Sequence, residues 1–193
     1  MRRRRGISTK TLVALLSLVL LLGCSLGGTL AWLADSTGPV TNTFTVGDID
    51  ITLVETTEDY KIVPGVNIAK DPKVTVKANS EACWLFVKIE ESANWPDELT
   101  YAVATGWEEL EGGVYYRQVG ASEKAQEFYV LAGEGVYANG MVTVSDTLTK
   151  SELQELASNN PTLTFTAYAV QQEGVADAET AWEIAQDASV STT

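Results

Sequence analysis

Ala82-Cys-Trp-Leu-Phe-Val-Lys-Ile-Glu90 is apolar almost throughout, with Lys88 its first charge. A strand with one face in water alternates apolar and polar residues, so a run this continuous belongs in the middle of a sheet, not at its edge. Its clearest companion is Thr162-Leu-Thr-Phe-Thr-Ala-Tyr-Ala-Val170, which alternates along its whole length. Lys73-Val-Thr-Val-Lys77 does the same with its charges outward. Further strands are expected at Leu99–Ala104, Val114–Val119, Glu127–Leu131 and Gly140–Val144, with turns at Pro64-Gly65, Asp71-Pro72 and Glu111-Gly-Gly113. Phe44, Val46, Ile49, Ile51 and Leu53 predict one long strand. Its apolar face slips at Gly47-Asp48, the signature of a β-bulge.

Two helices interrupt this pattern. Thr149-Lys-Ser-Glu152 fits a capping box ahead of the Leu153, Leu156, Ala157 stripe, and Asn159-Asn160-Pro161 ends the segment. Asp177 is placed to cap a second helix over Ala178–Ala185, with Ala181, Trp182 and Ala185 on one face. Many short strands with few helices predict a mainly β protein, an antiparallel jelly-roll-like β-sandwich carrying one or two short helices. The sandwich domain is expected over residues 43–188, followed by a disordered tail at 189–193.

The N-terminus has the layout of an export signal. Arg2 to Arg5 and Lys10 form a basic region, Leu12 to Leu22 an apolar one, and small residues follow. The apolar run falls short of the about 20 residues needed to cross a bilayer. Thr29-Leu-Ala31 is a small-x-small site, so cleavage is expected between Ala31 and Trp32. Residues 1–31 are then a signal helix and residues 32–42 a short extended arm. Leu21-Leu-Gly-Cys24 offers a competing lipobox-like site that would leave the protein anchored through Cys24.

The mature chain, Trp32–Thr193, has 162 of the 193 residues and carries eight basic against all 26 acidic residues, a formal charge of −18. Such a surface repels nucleic acid and anionic lipid, so neither is expected as a partner beyond the transient passage of the signal through the membrane. No histidine is present, which excludes Ser-His-Asp and Cys-His catalysis, His-ligated zinc and HExxH chemistry. Cys83, within its apolar run, reads as a buried small side chain. The acidic pairs Glu90-Glu91, Asp97-Glu98 and Glu108-Glu109 read as solvated charge, since neighbours on a strand face opposite ways. Asp48-Ile-Asp50 places two carboxylates on one strand face without the rest of a calcium loop. No catalytic residue, metal or cofactor is expected. Trp95 and Trp107 flank Pro96 and Gly106 in loops, where they are candidate surface aromatic contacts or core anchors.

Gly27-Gly-Thr-Leu-Ala-Trp-Leu-Ala-Asp35, followed by Asn42-Thr-Phe-Thr-Val-Gly-Asp-Ile-Asp-Ile51, resembles the SipW-dependent signal and first strand of the TasA/camelysin family. Pro64-Gly65, Lys70-Asp-Pro-Lys-Val-Thr-Val76 and Leu163–Val170 are similar to later parts of it. The resemblance implies a jelly-roll protein secreted by a Gram-positive bacterium and trimmed by a dedicated signal peptidase. Such a protein joins extracellular biofilm-matrix fibres with copies of itself or homologous matrix proteins. It further implies that the freed arm inserts as a donor strand into the next subunit, with Trp32, Leu33, Ala34 and Val40 as apolar plugs. The metalloendopeptidase activity named for some relatives has no visible chemistry here. The alternative is a monomeric cell-surface adhesin or binding module with Trp95 and Trp107 near its ligand.

Overall fold

The computed structural model describes residues 42–56 and 62–190. The signal segment, both sides of the Ala31/Trp32 junction, Cys24 and the arm residues Leu33, Ala34 and Val40 lie outside the described residues.

The fold is mainly β and sandwich-like. Its larger sheet has the order β1-β11-β5-β8-β7, built from β1 (Asn42–Val46), β5 (Cys83–Glu91), β7 (Glu108–Glu111), β8 (Val114–Val119) and β11 (Leu163–Gln171). All its pairings are antiparallel except β1 with β11, which is parallel. Two three-stranded sheets complete the described strands. One is β2 (Ile51–Val54), β4 (Lys73–Val76) and β9 (Gln126–Tyr129), in the order β2-β4-β9. The other has the order β3-β10-β6, from β3 (Ile68–Ala69), β6 (Leu99–Tyr101) and β10 (Met141–Val144). Backbone bonds beyond the strand ends tie these two together: Ala104 N–H donates to the Val130 carbonyl at 2.9 Å and Ala132 N–H to that of Ala102 at 2.7 Å.

Helix α1 (Lys150–Asn159) begins with the expected capping box. The Thr149 N–H donates to Glu152 Oε2 at 2.7 Å, and the Glu152 N–H reaches back to the Thr149 hydroxyl. Asn160 ends it in a left-handed conformation (φ 45°). Helix α2 (Ala178–Val190) is capped by Asp177, which accepts the Thr180 N–H at 2.9 Å. It runs past Ala185 because Gln186, Asp187 and Ala188 contain neither glycine nor proline to stop it. Ser189 and Val190 therefore belong to a helix and not to a tail, and residues 191–193 lie outside the described residues.

The core explains why β5 lacks alternation. Cys83, Leu85, Val87 and Ile89 join the large cluster that also holds Val74, Leu131, Val144 and Phe165. Trp84 and Phe86 point the other way, into a smaller cluster with Ala181, Trp182 and Ala185 of α2. Both faces of the strand are covered, so both are apolar. β11 follows the same rule through Phe165, Ala167 and Ala169 on one side and Val170 on the other.

The single long strand expected over residues 44–53 is two strands. β1 pairs with β11, while β2 pairs with β4 in another sheet, and the chain changes sheets through Gly47–Asp50. A slip in the apolar face looks the same in sequence for a bulge and for a sheet switch. Gly47 is required at this corner: its φ is +103°, and a Cβ there would lie 2.8 Å from Cβ of Gln171. The strand expected over Leu99–Ala104 ends at Tyr101, and β7 lies where only acidic surface was expected.

Candidate functional site

Strand addition needs an open sheet edge, so the margins of the sheets are the sites of interest. β1 is the outermost strand of the larger sheet, and one row of its N–H and C=O groups has no strand partner among the described residues. The strand itself is firmly held. Phe44 stacks on Tyr168 with centroids 5.2 Å apart; Tyr168 meets Trp182 edge-on at 5.0 Å; Trp182 packs on Phe86 at 5.4 Å. The Trp182 indole N–H donates to Glu111 Oε1 at 2.7 Å, linking α2 to the far edge of the same sheet. Asn42 thus belongs to the domain and not to the arm, and any free ribbon lies upstream of it.

The opposite edge, β7, presents Glu108, Glu109 and Glu111, all exposed. Acidic residues along an edge discourage pairing with another like-charged strand. Glu108 is held by the Tyr116 hydroxyl at 2.7 Å, which pushes the Tyr116 pKa up. In the smaller sheets β2 and β9 are the margins of one and β3 and β6 those of the other.

Trp107 is a core anchor and not a surface contact. It is 8 % exposed, its indole N–H donates to the Tyr129 carbonyl at 2.9 Å, and its ring joins the large cluster. Trp95 is half-buried against the same cluster, bonded to the Leu99 carbonyl at 3.0 Å and edge-on to Tyr101 at 6.3 Å. Each indole N–H finds a backbone carbonyl inside the protein, which favours the core-anchor reading of the two over the surface-contact one. The outer face of β2-β4-β9 has a shallow pocket of about 270 Å³. Its polar groups pair with one another, Thr56 with Asp71 and Lys73 with Glu127.

Asp50 is bonded to Lys77 at 2.8 Å, and Glu90 lies 2.6 Å from Lys88. Among the described residues no three His, Cys, Asp or Glu side chains gather around a cation-sized space. Cys83 is fully buried, and burial pushes its thiol pKa up to about 11. Two cationic sites escaped sequence reading. Lys70 is buried against Glu55, and Arg117 lies over Phe128 and Trp107. Nothing in the periodicity around either residue distinguishes a buried cation from a solvated one.

No family model, curated protein or solved structure matches the chain.

Proposed function

We propose that this chain is a secreted, non-enzymatic subunit or accessory of an extracellular fibre or cell-surface matrix, with a jelly-roll sandwich as its body. Its arm, Trp32–Thr41, adds as a strand to an open sheet edge of another copy or of a homologous matrix protein. The observation that supports this most is the position of β1. The domain begins with the outermost strand of its larger sheet, so the arm departs from an edge, where backbone pairing is incomplete among the described residues. Pairing arm and edge between molecules satisfies both sets of backbone groups, and Trp32, Leu33, Ala34 and Val40 supply apolar plugs.

Arm and edge are different surfaces, so the contact is heterologous. A heterologous contact that does not close into a ring propagates as a filament. Cleavage between Ala31 and Trp32 by a dedicated signal peptidase acts as a timer, since a membrane-tethered arm is not free to insert. Mass spectrometry of the secreted protein is expected to find Trp32 first. Negative-stain microscopy of the same material is expected to show fibres; a lipidated Cys24 or a stable monomer contradicts the proposal.

A further inference from the structure

The register of β2-β4-β9 sets Val54, Lys73 and Tyr129 in one row across the sheet, and Thr52, Thr75 and Glu127 in the next. Successive strand residues face opposite ways, so Ile51, Leu53, Val74 and Val76 fill the core while these two rows stand outward. The pocket of about 270 Å³ sits on the two rows, with Thr56 and Asp71 lining it beyond the first.

Its walls join fixed polar groups to apolar surface. Lys73 Nζ donates to Glu127 Oε1 at 2.8 Å and lies 5.8 Å from the centre of the Tyr129 ring. The bond to Glu127 pushes the Lys73 pKa up, which keeps the group an ammonium donor. The Thr56 N–H donates to Asp71 Oδ1 at 3.1 Å, and the Thr56 hydroxyl donates to Oδ2. Each bond orients a side chain and leaves it capacity, since a carboxylate has about four acceptor sites and an ammonium three donors. Tyr129 is half-buried and Val54 is 49 % exposed. They flank Lys73 on either side, two strand spacings or roughly 10 Å apart. A few oriented polar groups set beside apolar surface are what a small-molecule site needs.

Charge decides what such a pocket takes. Two carboxylates and one ammonium line it, a formal charge of −1, and the nearby Asp50–Lys77 pair adds none. Beside the −18 carried by residues 32–193, this area is almost neutral. An anionic ligand meets repulsion from the surface around it. A metal cation finds each carboxylate already bonded, one to Thr56 and one to Lys73. A sugar hydroxyl is donor and acceptor at once, so it accepts from Lys73 while donating to Glu127 or Asp71. The C–H face of the same ring lies against Tyr129 and Val54. We propose that this pocket binds a neutral oligosaccharide, with one sugar ring across Lys73 between Val54 and Tyr129. The site is on a sheet face and not on the β1 margin, so it goes beyond assembly and ties the subunit to a neutral polysaccharide.

Saturation-transfer NMR on the mature chain is the test, because it reads the ligand whether the protein is monomer or fibre. Cellotetraose, maltotetraose and N-acetylchitotetraose are the neutral probes, and tetragalacturonate is the acidic one. Saturation is expected to reach the ring protons of at least one neutral probe and to miss the acidic one. Thr75→Arg, which drives a long side chain into the pocket, is expected to abolish the transfer. Tyr129→Ala is expected to weaken binding roughly tenfold, the worth of about one aromatic contact. Thr75 belongs to neither apolar cluster, so Thr75→Arg carries the test if Tyr129→Ala does not fold. Glu109→Gln, on β7, is expected to bind as the wild type does. No transfer to any neutral probe, transfer that survives Thr75→Arg, or equal transfer to tetragalacturonate overturns the site. None of these results bears on fibre formation, so this proposal and the assembly reading fail separately.

Discussion

Lys70 Nζ lies 2.6 Å from Glu55 Oε1, with the two side chains 7 % and 2 % exposed, and 5.4 Å from the centre of the Phe165 ring. Burial lowers the Lys70 pKa, and the Glu55 contact opposes that shift. Removing one member of such a pair takes away the opposite charge that the other meets at 2.6 Å in a buried setting. Lys70→Met is therefore expected to lower unfolding free energy by about 3–5 kcal/mol in a denaturant titration, whereas Lys70→Met with Glu55→Leu recovers most of the loss. Cys83 provides a second check. Its folded-state pKa of about 11 exceeds the ordinary 9.0, so between those values the unfolded chain releases a proton that the folded chain keeps. Stability contributed by this group is complete below pH 9 and declines as pH rises toward about 11. In native mature protein, thiol alkylation is expected to proceed only as fast as the domain opens; rapid labelling under native conditions would contradict its burial.

Elements were legible in the sequence where packing is simple. β5 and β11 were readable because apolar faces dictate their composition, and α1 because its cap is written in Thr149 and Glu152. The cap also makes a prediction: Thr149→Ala is expected to cost about 1 kcal/mol, measured by thermal melting. The Glu152 pKa is lowered chiefly by the Thr149 backbone N–H, so this support is present above the usual glutamate pKa and is lost as pH falls through the lowered value. Other elements hid their structure. The β1–β2 corner reads as a bulge because a sheet switch and a bulge shift the apolar face alike. β7 is made of Glu108, Glu109, Leu110 and Glu111, so no apolar rhythm announces it, and only the hairpin with β8 through Gly112-Gly113 sets it in a sheet. Trp107 was readable as a core anchor but not its partners, because Tyr129 and the large cluster come from elsewhere in the chain. Arg117 was silent for the same reason, since Phe128 meets it from another sheet.

At the scale of the whole molecule, the proposed assembly has to overcome mutual repulsion, since residues 32–193 carry a formal charge of −18. Strand addition suits this case, because main-chain hydrogen bonds and apolar plugs supply attraction that does not depend on net charge. Acidic residues along β7 oppose indiscriminate edge pairing. The described residues hold two apolar clusters of their own, so losing the arm is expected to spare the fold. The most direct test is therefore to compare the mature chain, Trp32–Thr193, with a version lacking Trp32–Thr41, by sizing and negative-stain microscopy under identical conditions. Fibres from the first and a folded monomer from the second are the predicted result; fibres of equal abundance from the shortened chain would contradict assembly through the arm.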